Sequence, residues 1–272
     1  MTSGDRPVLC SMMGDRTGEA RMRVAAVQCD VAWEDVPLNH ARLADRIAAA
    51  ADAGARLVLL PEMFASGFSM ATSRIAEPVD GPTATFLGEQ ATTLGVWVGG
   101  SFACRTEGSL KPRNRLLLAA PDGSTEYYDK VHPFALGGEK ERYAAGDRLV
   151  TVAIEGVRFT PFICYDLRFA DWFWRAAPGT DCYVVVANWP AERQSHWTDL
   201  LRARAIENQA FVVGVNRVGE GGGAAYLGQS VVFEPFGGVV AAAGSAEETL
   251  VAEIDPDRVV EIRSRYPFLA DR

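Results

Sequence analysis

Residues 56–62 read RLVLLPE: an arginine, four consecutive apolar residues, then a proline and a glutamate. A strand with one wet face alternates apolar and polar positions, and this one does not. Unbroken apolar runs belong to strands covered on both faces. Pro61 has no N–H to give to a sheet, so the strand ends there and Glu62 stands just beyond it. Working outward, NHARLADRIAAAADAG (residues 39–54) carries Leu43, Ile47 and Ala51 at helical spacing. Asn39 is expected to cap this helix, Leu38 to staple onto Leu43, and Gly54 to end it in a left-handed turn. Before it, MRVAAVQCD (residues 22–30) is a β-branched run that predicts a first strand.

The same logic extends downstream. GPTATFLGEQATTLG (residues 81–95) predicts a helix, with Pro82 in its first turn and Gly95 after its end. VWVGGSFAC (96–104) predicts a strand, and NRLLLAAPDGSTEYYDK (114–130) a hairpin turning at Asp122-Gly123. LVTVAIEGVRFTPFICY (149–165) predicts two strands joined at Glu155-Gly156, and DCYVVVANW (181–189) another buried strand. Ser195 is expected to cap SHWTDLLRARAIENQ (195–209), with AFVVGVNRV (210–218) following as a strand. YLGQSVVFEPFGGVVAAAG (226–244) and ETLVAEID (248–255) predict a closing meander. The glycine-rich GEGGG (219–223) precedes no helix, so it reads as a flexible surface loop rather than a phosphate cradle. Strands alternate with helices and carry inserted hairpins, which points to one α/β domain with sheets inside and helices outside.

The chain has 272 residues, 48% of them hydrophobic and 23% charged, with a formal net charge of −8. A full core can be buried, and the acidic balance argues against a nucleic-acid or anionic-membrane surface. No apolar stretch is long enough to span a bilayer. Residues 1–21 lack the continuous apolar segment of a signal peptide and read as a loose tail, with one domain over residues 22–272. The five cysteines, Cys10, Cys29, Cys104, Cys164 and Cys182, are odd in number and form no CxxC. That pattern fits free thiols in a reducing cytoplasm. Cys29, Cys104 and Cys182 read as small buried hydrophobes.

Glu62, Lys130 and Cys164 each stand where a predicted strand runs out. In open α/β sheets, ligand sites gather beyond the carboxyl ends of strands. A carboxylate there can take the proton of a thiol as it attacks, and an ammonium can stabilise the oxyanion formed on an attacked amide carbonyl. The Tyr165 N–H is a natural second donor. The carboxylic acid then protonates the leaving ammonia, and water completes hydrolysis of the thioester. Taken singly, each residue also allows an ordinary role: Glu62 in a surface ion pair, Lys130 as a solvated hairpin residue, Cys164 in the core. Two rival sites remain open. One pairs Cys164 with His132 or His196; the other gathers zinc on Cys164, His132, His196 and Asp166, although no two of them have the usual short spacing. His40, on a helix, is expected to be exposed.

LPEMF (60–64), YDKVHPF (128–134) and CYDLRF (164–169) resemble the three motifs of the nitrilase, or carbon–nitrogen hydrolase, superfamily, in the family's order. VANWPAERQSHWTDLLRARAIENQAFVVGVNRVG (186–219) and GQSVVFEPFGG (228–238) resemble its omega-amidase, or 2-oxoglutaramate amidase, branch. The resemblance implies a four-layer α-β-β-α sandwich and a metal-independent, cofactor-free Glu–Lys–Cys site at Glu62, Lys130 and Cys164. It implies a second, assisting glutamate at Glu139, seven residues before Gly146, with Glu141 as the other candidate. Ala170 departs from the family, where proline is common. The implied reaction is hydrolysis of a 2-oxo-acid amide to the 2-oxo acid and ammonia. N-carbamoyl amines are the alternative substrates, and a non-catalytic binding member is a further one. Arg168 and Arg193 are candidates for a substrate carboxylate, although an ion pair of Arg168 with Asp166 or Asp171 is the favoured reading of that residue. Asn188, Trp189 and Phe64 are candidates for the pocket wall. Members of the family pair subunits, and the aromatics Phe169, Trp172, Phe173 and Trp174 lead to the expectation of a homodimer.

Overall fold

The structure, a computed structural model, describes residues 21–272; Cys10 and the expected tail, Arg21 apart, lie outside the described residues. The first half runs β1 (Met22–Gln28), α1 (Val36–Asp52), β2 (Leu57–Leu59), α2 (Thr72–Ile75), α3 (Pro82–Leu94), β3 (Trp97–Cys104), β4 (Arg113–Ala119), β5 (Thr125–Asp129) and α4 (Glu139–Arg142). The second half runs β6 (Val152–Ile154), β7 (Val157–Ile163), α5 (Ala170–Ala176), β8 (Cys182–Ala187), α6 (Gln194–Asn208), β9 (Phe211–Asn216), β10 (Val218–Gly221), β11 (Ala224–Leu227), β12 (Val231–Phe233), β13 (Val239–Ala242), β14 (Glu248–Ile254) and α7 (Pro256–Arg265).

Two six-stranded sheets form, in the orders β14-β1-β2-β3-β4-β5 and β13-β12-β9-β8-β7-β6. Each has three parallel central strands, β1, β2, β3 and β7, β8, β9, with antiparallel strands at the flanks. The pleat sorts the side chains. In β1, Val24 and Ala26 face the core shared by the two sheets, whereas Ala25 and Val27 face Leu43 and Ile47 of α1. The second sheet is covered on its outer side by Phe173 of α5 and by Trp197 and Leu201 of α6. A Cβ on Gly214 would come within 2.4 Å of Leu201, so only glycine lets α6 lie this close to β9. The layers are therefore α-β-β-α, as the resemblance implied.

Several local expectations are corrected. Asp35, not Asn39, caps α1, its carboxylate accepting the Leu38 N–H. Asn39 lies inside the helix and is buried, bonded to Ala32 and to the Ala65 carbonyl. Tertiary acceptors thus claim an amide that local spacing had assigned to the cap. α6 starts at Gln194 without a side-chain cap, so Ser195 does not cap it. GEGGG is not a loose loop: Gly219 to Gly221 lie in β10, and Gly222 and Gly223, both at positive φ, turn it into β11. β14 does not continue the meander; it crosses to the first sheet and pairs β1 from Met22↔Ile254 to Gln28↔Glu248. His40 is half-buried and stacked on Phe86, ring centroids 4.3 Å apart.

Candidate active site

Glu62, Lys130 and Cys164 follow β2, β5 and β7, and Asn188 follows β8. β5 is antiparallel to β4, and β4 to β3, so β5 runs with β2 and β3, and their carboxyl ends share one edge of the first sheet. The two sheets bring these ends together. The Lys130 ammonium lies 2.8 Å from a carboxylate oxygen of Glu62 and 2.8 Å from one of Glu139. All three side chains are buried. The surface ion pair imagined for Glu62 and the solvated role for Lys130 are both set aside. Glu139, not the exposed Glu141, is the second carboxylate.

Each carboxylate accepts two further hydrogen bonds. Glu62 accepts the Asn188 N–H at 2.8 Å and the Asn114 amide at 2.9 Å. Glu139 accepts the Phe134 N–H at 2.6 Å and the same Asn114 amide at 3.0 Å. Asn114, on β4, is the residue that sequence reasoning missed. The Ser101 hydroxyl donates to its side-chain carbonyl at 2.9 Å and accepts the Met63 N–H at 2.9 Å, which fixes the amide with both N–H groups toward the carboxylates. Flanked by Arg113 and Arg115, it carries no sequence signal that separates it from any polar strand residue.

Cys164 takes φ of 46°, in the left-handed region that a residue with a Cβ seldom visits, and Met63 beside Glu62 takes φ of 48°. The thiol is half-buried at the wall of a cavity of about 480 Å³. Burial, and then the Glu62 charge, push it well above its ordinary pKa, with Lys130 only partly opposing them. The resting group is therefore a thiol, and the lysine does not make it a thiolate. Burial pushes Lys130 down, but Glu139 and Glu62 together outweigh it and hold the group well above its ordinary value, so it stays an ammonium. Burial raises Glu139.

Tyr165, Arg168, Asn188, Trp189 and Arg193 line the cavity with the thiol. Phe64 does not: it packs in the core between the first sheet and its helices, and Phe68 and Phe134 are the phenylalanines of the cavity wall. Arg168 makes no ion pair with Asp166 or Asp171 among the described residues; it lies 4.9 Å over the Trp189 ring and 3.2 Å from His196. His132 donates to the buried Asp166, and its ring stacks on Phe169, so neither it nor the exposed His196 is set against the thiol. Among the described residues no three of His, Cys, Asp and Glu gather to hold a metal.

Comparison with known proteins shows the family. The chain is 38% identical over 255 residues to the omega-amidase YafV of Escherichia coli K12, covering 92% of this chain and 96% of that one. It is 31% identical over 252 residues to a 2-oxoglutaramate amidase of Bacillus subtilis, covering 91% and 96%. A solved structure from Xanthomonas campestris, described as a CN-hydrolase superfamily protein with an arsenic adduct in its active site, superposes with a TM-score of 0.85 at 39% identity over 93% of this chain and 97% of that one. The carbon–nitrogen hydrolase model matches residues 23–264, from the first strand to the last helix, and the chain belongs to that family.

Proposed function

We propose that the chain hydrolyses small primary amides of the omega-amidase type, with Cys164 as nucleophile. The observation that carries this reading is one ammonium clamped between two buried carboxylates beside a thiol at a left-handed strand end. Glu62 takes the thiol proton as Sγ bonds to the amide carbon, which removes any need for a preformed thiolate. Negative charge moves onto the carbonyl oxygen, and Lys130 Nζ stabilises it, with the Tyr165 N–H as second donor. The Glu62 acid returns its proton to the departing nitrogen, ammonia leaves, and a thioester remains. Glu62 then takes a proton from water as it attacks, and collapse releases the acid and the thiol. Glu139 holds Lys130 from its far side and keeps its ammonium aimed.

The substrate class follows from the relatives' names and from the cavity. Relatives called omega-amidase and 2-oxoglutaramate amidase align over nearly the whole chain. The cavity offers Arg168 and Arg193 to a carboxylate remote from the thiol. We further infer a cytoplasmic homodimer, on the free thiols Cys29, Cys104, Cys164 and Cys182 and on apolar side chains left exposed near the carboxyl terminus.

The test is ammonia release from a panel of 2-oxo-acid amides, glutamine, N-carbamoyl compounds and simple nitriles. The oxo-acid amides are expected to lead, and preference for carbamoyl compounds overturns the substrate class while leaving the mechanism. Cys164→Ala is expected to abolish release with the melting curve intact; surviving activity ends the mechanism. Glu62→Gln is expected to lower kcat by about 10²–10⁴.

A further inference from the structure

The β10–β11 hairpin is not needed to build the carboxylate and lysine cluster, yet it reaches the same cavity. Gly222, Ala224 and Tyr226 from it line the wall. The hairpin is made for a fixed position. A Cβ on Gly222 would come within 2.5 Å of Trp33, and one on Gly219 within 2.2 Å of Asp30. Behind it the buried Arg217 donates to Asp30 at 2.7 Å, to the Val31 carbonyl at 3.1 Å and to the Glu220 carbonyl at 3.0 Å. The guanidinium carbon lies 4.5 Å from the Tyr226 ring centroid. The glycine turn and the arginine stack together hold one aromatic ring still.

That ring carries a hydroxyl that no described residue bonds and that is not sealed from the cavity. Tyr226 is only 6% exposed, and among the described residues no group forms a hydrogen bond with its hydroxyl. A buried polar group normally has a partner, and one that faces a cavity without one is suited to a ligand. Its electrostatic neighbours are Arg217, Glu62, Cys164 and Arg193. Tyr226 lines the same cavity as Cys164 and Arg193. Burial first, and then the Glu62 carboxylate, push its pKa up to about 12, so it is a neutral O–H donor at any working pH.

The geometry points to Tyr226 as the specificity-determining residue that donates a hydrogen bond to the 2-oxo oxygen of the substrate. This rests on the reading of the chain as an oxo-acid amidase. A substrate with its amide carbon at Sγ and its carboxylate at the arginines carries its middle atoms past this hydroxyl. The phenol offers a neutral acceptor what the arginines offer a charged one, and a chain with a methylene in place of the carbonyl leaves the O–H unpaired.

The test compares wild type with Tyr226→Phe, which keeps the ring and its stack, on two substrates: the monoamide of the five-carbon 2-oxo diacid and the monoamide of glutaric acid. Wild type is expected to favour the oxo substrate. The variant is expected to raise KM for the oxo substrate about tenfold with kcat within about threefold, and to leave the glutaric monoamide unchanged. Inhibition by the 2-oxo diacid itself is expected to weaken by the same factor, a readout independent of turnover. Equal loss on both substrates, or no loss on either, overturns the assignment. Failure of wild type to hydrolyse either substrate instead sinks the proposed function, and the subsite with it.

Discussion

Asn114 decides whether two carboxylates can be ionised in a dry site. It gives one N–H to each, and Ser101 leaves its amide a single useful orientation. Asn114→Leu keeps the volume and removes both donors. Stability is expected to fall by about 3 kcal/mol in denaturant unfolding, and kcat to fall more than about tenfold with KM little changed. A variant with wild-type kcat would deny the amide its role in aiming the cluster. Glu139 sets the pH response. Burial holds its carboxyl above the ordinary carboxylate value. A carboxyl that binds its proton more tightly in the folded chain stabilises the fold when protonated, and that contribution fades as pH rises from the unfolded value through the folded one. The Tm of wild type relative to Glu139→Gln is therefore expected to improve as pH falls toward the ordinary carboxylate value of about 4.3. The opposite trend would mean that Lys130 outweighs burial at this site. The proposed trio could be singled out because each member follows a predicted strand, but only the three motifs resembling the nitrilase superfamily favoured it over the histidine and zinc sites. Asn114 could not be singled out, since only its tertiary neighbours distinguish it from any polar strand residue. Phe64 was misplaced for a related reason: two residues beyond Glu62, its ring turns into the core beside His40 and Phe86 rather than toward the cavity.

At the scale of elements, the turn that presents Cys164 is held by Asp166. One oxygen of that carboxylate accepts the Tyr128 hydroxyl at 2.8 Å and the Ile163 N–H at 3.1 Å. The other accepts the His132 N–H at 2.9 Å and lies 2.8 Å from the His132 ring nitrogen. A single buried group thus joins the end of β5, the loop after Lys130 and the turn after β7. This gives His132 a structural role in place of the thiol-base and zinc-ligand roles that the sequence suggested. His132→Ala is expected to lower kcat far less than Glu62→Gln, and His132→Asn, whose amide can still donate to Asp166, to recover part of the loss. If His132→Ala cost as much as Glu62→Gln and His132→Asn recovered nothing, proton transfer by the imidazole would be the better account. Elements with local punctuation were readable: Gly95 ends α3 at φ of 67°, and Glu155 and Gly156 turn β6 into β7 at φ of 47° and 87°. The final helix α7 went unanticipated although its signals are present, with Asp255 as cap, Pro256 in the first turn and Arg263 and Arg265 in the last.

Over the whole molecule, the layer order follows from unbroken apolar strands, but which sheet a strand joins does not. β14 has the same alternation whether it extends the second sheet or closes the first; its choice of β1 rests on seven register pairs more than two hundred residues apart. Once β14 has crossed, α7 and the carboxyl terminus are carried to the face formed by α5 and α6. Arg272 lies 5.0 Å over Trp174 and bonds Asn208, while Tyr266 stacks between Phe236 and Phe268. The turn at Gly237 meets Ile206 of α6. Trp174, Ile206, Phe236 and Phe268 are 47%, 50%, 54% and 57% exposed, so large apolar side chains from four segments share this side. Apolar surface of this kind is covered in stable assemblies, and a second copy of the same face supplies a self-complementary cover. The inferred homodimer should therefore sediment at twice the chain mass, and its Tm should rise with protein concentration, because only the folded chain associates. Replacing Ile206 and Phe236 together by aspartate puts paired like charges at the centre of such an interface. That variant is expected to sediment as a monomer with unchanged secondary structure and a concentration-independent Tm. A wild type that is already monomeric at micromolar concentration, or a double variant that still dimerises, removes this face from the argument.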